Sequence, residues 1–288
     1  MTISNLIESF EFELWGRKYR YESIKNYVSC LRIFLDRYKE RDSVKHISEQ
    51  DIKEFLYGFK EHNTQRAYHS AIKAFYKFVV HQPNKFKYIQ YCRRKEKLPI
   101  VLSVEEMQMI IFACENLKHK TILCLMYSTG IRVSEVINLR LSDIDSSRMV
   151  INIIDAKGGK DRQVTLDPDL LQILRYYFVK YRPNEYLFNG QFQLKYSTRS
   201  IAQFLQKYAD KAGIKKRVYP HLIRHCSATH MLEAGTDMSI LQRLLGHQSI
   251  KTTQIYGHIS HNLISKITTP LQFILNKNKQ LPIQKQLQ

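Results

Sequence analysis

Apolar residues recur along the first eighty positions at helical spacing. Leu6, Ile7, Phe10 and Leu14 share one face. From Ile24 the series continues through Tyr27, Val28, Leu31, Phe34, Leu35 and Tyr38. Ser48 followed by Asp51 has the spacing of a capping box, and Ile52, Phe55, Leu56 and Phe59 follow it. Thr64 opens a fourth periodic stretch that hides Tyr68, Ala71, Ile72, Phe75, Phe78 and Val79. The pattern predicts four helices in residues 1–82. It then breaks between Pro83 and Pro99, where Lys85, Lys87, Arg93, Arg94, Lys95 and Lys97 face the single acid Glu96. A basic stretch of poor periodicity between two periodic regions predicts a linker over 83–101.

Periodicity resumes at Ser103, which pairs with Glu106 as a second capping box. Two helices are expected before Gly130 and a short one from Arg132 to Leu139. Val150–Ile154 and Gln163–Leu166 read as two strands, and the turn Lys157-Gly158-Gly159-Lys160 makes them a hairpin with a basic tip. Helices are expected again at 168–181, 198–212, 221–234, 237–245 and 249–256. The fold class is mainly α, with a small antiparallel sheet in the second domain, 102–275. Residues 276–288 form a polar tail rich in Gln and Lys.

Charge narrows the list of partners. The 288 residues carry 45 Lys and Arg against 26 Asp and Glu, a net charge of +19. Such an excess repels itself in a compact chain unless a polyanion is near, so nucleic acid is the first candidate partner. An anionic membrane surface is the second. No run of 18 apolar residues occurs, so no membrane span is expected. The opening MTISNLIESF has no basic region before an apolar stretch, so it predicts no signal peptide. Five scattered cysteines with no CxxC pair point to a reducing cytosol, without disulfides or structural zinc.

Cleaving a phosphodiester takes a nucleophile, a counter-charge for the non-bridging oxygens, and a proton for the leaving oxygen. The carboxylates of this chain are scattered and do not form a Mg²⁺ site. Arginines can supply the charge, since a planar guanidinium pairs bidentately with phosphate oxygens. The candidates are Arg132 in TGIRVSE, His221 and Arg224 in PHLIRH, His247 in LLGH, and Tyr256 in TTQIYGH, with Lys157 in the hairpin. Taken singly, each has an ordinary explanation as a surface, capping or core residue. His221 and His225 have the spacing of a zinc site, but HLIRH lacks the glutamate of HExxH, and Arg224 would repel a cation.

Order and spacing carry more. In the sequence Arg, Lys, HxxR, LGH, then Tyr nine residues later, residues 100–275 resemble the tyrosine recombinases, the family of phage integrases, integron integrases and Xer-type enzymes. TGIRVSEVINLRLSDID is similar to the family's first-arginine segment, KGGKDRQVTL to its lysine hairpin, and the stretch from Pro220 to His258 to its closing segment. Ile223 and Cys226 depart from it, where Leu and Ser or Thr are more usual. The first eighty residues resemble the helical core-binding domain in helix number and placement. The resemblance implies that Tyr256 forms a 3′-phosphotyrosyl link and that Arg132, Arg224 and His247 hold the phosphate. His221 then assists deprotonation and Lys157 protonates the 5′-oxygen; Lys160 lies in the same hairpin, and the family pattern selects Lys157. Neither metal nor other cofactor is implied. Two domains are expected to clamp double-stranded DNA, and pairing of sites implies a homotetramer on two duplexes. Leu263, Ile264, Ile267, Leu271, Phe273 and Ile274 predict a helix that docks on a neighbouring protomer. HISHNLISKITTPLQ favours integration or excision of a mobile element; resolution of replicon dimers by an Xer-type enzyme is the alternative. A type IB topoisomerase and a silent DNA-binding regulator are the rival classes.

Overall fold

The computed structural model describes residues 2–90, 100–154, 161–190, 194–247, 249 and 252–254. The chain divides into two compact units, Met1–Glu96 and Lys97–Gln288.

In the first unit the four expected helices are α1 (Ile3–Gly16), α2 (Tyr21–Arg37), α3 (Glu49–Tyr57) and α4 (His62–Phe78). The start of α3 follows from a completed capping box. Ser48 Oγ accepts the Asp51 N–H at 3.1 Å, and Asp51 Oδ2 accepts the Ser48 N–H at 2.8 Å. The helices enclose an aromatic core. Phe10 meets Phe75 edge-on at 5.7 Å, and Phe55 meets Phe34 at 5.2 Å and Tyr68 at 5.4 Å, the offset geometries that ring quadrupoles favour. Residues 83–89, the first part of the expected linker, join this core. Pro83–Phe86 form a 3₁₀ turn, and Phe86 and Ile89 are buried. These two apolar residues outweigh the lysines that made the stretch read as a solvated connection. His69 fastens its end, with Nε2 2.9 Å from the Ile89 carbonyl.

The second unit holds α5 (Val104–Ala113), α6 (Leu117–Thr129), α7 (Val133–Asn138), strands β1 (Ile144–Asp145), β2 (Val150–Ile153) and β3 (Arg162–Thr165), then α8 (Pro168–Tyr181), α9 (Thr198–Lys211), α10 (Pro220–Glu233) and α11 (Met238–Leu245). The sheet is antiparallel in the order β1-β2-β3, with Ile151 opposite Val164 and Ile153 opposite Arg162. β1 was not expected; two residues are too short for a periodic signal. Thr252–Gln254 are helical, within the last helix expected from the sequence. The helix α6 buries Ile122, Leu123, Leu125 and Met126. It packs against α8 and α10 and ends at Gly130, whose φ of +64° is the left-handed cap that lets the chain turn sharply into Arg132. A side chain at 130 would also meet Leu245 at 2.9 Å.

The anchor of α10 is unusual. Cys226 Sγ accepts the Leu102 N–H at 3.3 Å, and His230 Nε2 lies 3.0 Å from the Leu102 carbonyl. The cysteine that replaces the family's hydroxyl therefore still holds a main-chain N–H.

Candidate active site

Three of the expected residues meet where the turn after α6, the helix α10 and the end of α11 converge. Arg224, the largest fully buried side chain of the described residues, is 1% exposed. Its Nη1 donates to the Gly130 carbonyl at 2.7 Å and its Nη2 to the Leu245 carbonyl at 2.6 Å. Nη2 also lies 3.0 Å from His247 Nε2. A guanidinium has no acceptor, so Nε2 is the accepting nitrogen and the imidazole proton sits on Nδ1. That nitrogen is 3.0 Å from Thr253 Oγ1, to which it donates. Burial pushes His247 down to about 4, and the charges of Arg224 and Arg132 act in the same direction.

Arg132 stands at the N-cap position of α7, where its N–H donates to Glu135, and its side chain reaches the same turn. Its Nη2 donates to the Gly246 carbonyl at 3.2 Å, beside His247, and its Nη1 donates to Glu135 Oε1 at 3.0 Å. His221 is exposed in the first turn of α10, with its ring 4.4 Å from that of His225. His225 is pushed down to about 4, mainly by burial and then by His221 and Arg224. Among the described residues no group of three or more His, Cys, Asp or Glu could hold a metal ion. Lys157 and Tyr256 lie outside the described residues.

Two charged residues at this site were not singled out in the sequence. Glu135 is 8% exposed and its carboxylate accepts from both Arg132 and Arg162. Burial raises its pKa, but the Arg162 hydrogen bonds and the Arg132 N–H outweigh that, and it ends below the usual carboxylate range. The side chain of Arg162 is 8% exposed. Both lay within recognisable segments, TGIRVSE and KGGKDRQVTL. A signal existed for Arg162: strand alternation puts it on the same face as buried Val164, so its guanidinium points inward.

The site's contents and both units match known proteins. Residues 101–262 match the model of the phage integrase family, and residues 6–85 match the phage integrase N-terminal SAM-like domain. A tyrosine recombinase of Thermosipho africanus is 31% identical over 276 residues, covering 90% of this chain and 96% of that one. The tyrosine recombinase XerA of Pyrococcus horikoshii is 31% identical over 89% of this chain and 90% of its own. An integrase/recombinase of Sinorhizobium fredii is 42% identical over 183 residues, and there the match spans only 59% of that protein. Among solved structures, the XerA recombinase is 26% identical with a TM-score of 0.53, over 97% of this chain and 99% of that one. A lambda integrase, solved as a tetramer on a Holliday junction, shares the fold at 18% identity and a TM-score of 0.74, over 89% of this chain and 77% of that one. The chain belongs to the phage integrase family, the tyrosine recombinases, enzymes that break and rejoin DNA without a metal.

Proposed function

We propose that Arg132, Arg224 and His247 form the phosphate-binding half of a recombinase active site, and that Tyr256 supplies the nucleophile. The observation that carries this reading is the convergence on one turn of two arginines and a histidine that the resemblance to the tyrosine recombinases had grouped. Arg224 is held by two main-chain carbonyls and an imidazole, all neutral. Its fork is thus oriented before DNA arrives, and its charge is not consumed by these partners. Fixed donors of this kind stabilise charge that develops on the non-bridging oxygens.

The Tyr256 oxygen attacks the phosphorus in line with the departing 5′-oxygen and forms a 3′-phosphotyrosyl link. A tyrosine of pKa about 10 needs help to ionise, and His221 takes its proton or relays it. Lys157 protonates the 5′-oxygen. The bond energy stays in the phosphotyrosine, so a 5′-hydroxyl from a partner strand reverses the step without ATP. A phosphate oxygen beside His247 would favour its protonated form and offset the burial that now keeps it neutral.

The substrate is double-stranded DNA, and the net charge of +19 supports binding driven by counterion release. Residues 102–275 form the catalytic domain, residues 1–82 with 83–89 packed into their core form the core-binding domain, and 276–288 a polar tail. Both domains bind the duplex. Recombination takes place in a homotetramer, and the apolar stretch from Leu263 to Ile274 docks on a neighbouring protomer; that stretch lies outside the described residues. We retain integration or excision of a mobile element as the role. Xer-type dimer resolution remains the alternative, supported by the similarity to XerA. The enzyme acts in the cytoplasm, on the nucleoid. No helix among the described residues is long and apolar enough to cross a membrane.

The test uses duplexes selected from a random pool by binding, nicked near the cleavage position so that rejoining fails. In EDTA the protein should accumulate as a covalent adduct on the 3′-phosphate side. An adduct that forms only with Mg²⁺, or none with any selected duplex, contradicts the reading.

A further inference from the structure

Arg132 touches a carboxylate, that of Glu135. Glu135 has about four acceptor positions on its two oxygens. The Arg132 N–H fills one at 2.7 Å and Arg132 Nη1 another at 3.0 Å. Arg162 fills the other two, with Nη1 on Oε1 at 3.0 Å and Nη2 on Oε2 at 2.8 Å. A carboxylate paired with Arg132 alone would cancel the charge that the phosphate needs. With Arg162 present, the two guanidiniums and one carboxylate sum to one net positive charge.

We propose that Arg162 is a positioning residue that neutralises Glu135, so that Arg132 keeps its net charge and its position at the Gly246 turn for the scissile phosphate. The placement of Arg162 fits this role. Its Nε donates to the Leu244 carbonyl at 2.7 Å, which fixes the guanidinium at the base of the turn leading to His247. Gly246 lies against it with φ +62°, and a side chain there would come within 3.1 Å of its Cδ and Nη1. The same glycine gives its carbonyl to Arg132. Without Arg162, two acceptor positions on Glu135 open beside Arg132, and its fork can turn inward to fill them. A lysine at 162 preserves the charge but cannot fill both positions in one plane.

The proposal rests on the reading that Arg132 binds the scissile phosphate, and the experiment separates the two. Single-turnover cleavage is measured on the selected site with either the natural phosphodiester or a methylphosphonate at the scissile position, where a methyl group replaces one charged oxygen. Arg132→Ala should lose about 10²–10³ on the phosphodiester, and much less on the methylphosphonate, where less charge awaits an arginine. Arg162→Gln should behave alike to a smaller degree: a loss of about tenfold or more on the phosphodiester, shrinking on the methylphosphonate. Arg162→Gln with Glu135→Gln should regain most of that loss, because the competing carboxylate is gone. A variant that merely loosens the fold would lose equally on both substrates. If Arg162→Gln does so, or the double variant is no better than the single one, the proposal is overturned. If Arg132→Ala itself loses equally on both, the reading of Arg132 falls, and this proposal with it. Should Arg162→Gln fail to fold, Arg162→Lys and the double variant carry the comparison. Arg162→Lys, which leaves a position on Glu135 open, should shift the ratio between substrates part of the way toward that of Arg132→Ala, and the double variant should keep the wild-type ratio. A wild-type ratio in Arg162→Lys, or an Arg132→Ala-like ratio in the double variant, contradicts the proposal.

Discussion

The two units bury different things. In the first, the buried polar residues among those described are Gln65 and His69, and both reach main-chain carbonyls, of Leu56 and Ile89. The rest of that core is aliphatic and aromatic. The second unit buries Glu135, Asp143 and Arg224, together with the side chain of Arg162. Withdrawing an ion from water costs several kcal/mol even after relaxation. A fold accepts that cost where charges must be held still against a charged ligand. The contrast assigns the chemistry to the second unit and leaves the first to act through its surface.

Breaking each core in its own way makes the largest difference. Phe75→Ala in the first unit should cost about 3–5 kcal/mol through the cavity it leaves, whereas Phe75→Leu should cost less. Glu135→Ala in the second should cost about 3–5 kcal/mol for another reason, since Arg162 is left buried without its carboxylate. Urea unfolding measures both. Adding Arg162→Leu should recover much of the Glu135→Ala loss, and no second apolar truncation should recover that of Phe75→Ala. Equal behaviour in the two units would erase the distinction.

Next in size is Arg224→Lys. Lysine keeps the charge but not the planar fork, so cleavage should fall about 10²–10³ while DNA binding survives. The loss of a donor to the Gly130 or Leu245 carbonyl adds about 1–3 kcal/mol of destabilisation, which unfolding would register separately. Near-normal cleavage by this variant would remove Arg224 from the site.

The contrast also appears in the acid range. His247, His225 and His119 are each pushed down to about 4, with burial the largest cause. Their neutral forms are favoured in the folded chain. The unfolded chain takes up protons from about pH 6.5 downward. Stability from these residues is therefore complete above pH 6.5 and is lost as pH falls from there toward 4. Because all three lie in the second unit, and the first unit holds one histidine, His69, lowered in the same way, the second unit's unfolding midpoint should drop further over that range in the absence of DNA. A midpoint that stays constant, or rises, would contradict the assignment.

The smallest effect concerns the first unit alone. Ser48→Ala removes one cap from α3 and should cost about 1 kcal/mol, with cleavage unchanged once DNA is saturating. A cleavage defect on saturated DNA would mean that the first unit does more than bind.

Much of this arrangement was legible in the sequence, for physical reasons. Capping boxes at Ser48 and Ser103 are local, so their spacing alone marks two helix starts, and both boxes form. The bounds of α8, α9, α10 and α11 follow from periodicity with Asp167, Ser197 or Asp237 at a cap, or with Pro220 at the first turn. Helix α4 begins at His62 rather than Thr64, because it starts without a side-chain cap to announce it. Phe86 and Ile89 were hidden by their lysine neighbours. At the site, Arg132, Arg224 and His247 could be grouped by order and spacing. The Glu135–Arg162 pair could not, because only the fold brings together a helix residue and a strand residue across the hairpin.

The central claim is tested most directly at Tyr256. Tyr256→Phe removes one oxygen and keeps nearly all the volume of the side chain, so folding and DNA binding should survive. On the nicked duplex, wild type should give an adduct that withstands denaturing gels and maps by peptide analysis to Tyr256, and the Phe variant should give none. An adduct that persists in Tyr256→Phe, or maps to Tyr219 or another tyrosine, would contradict the account.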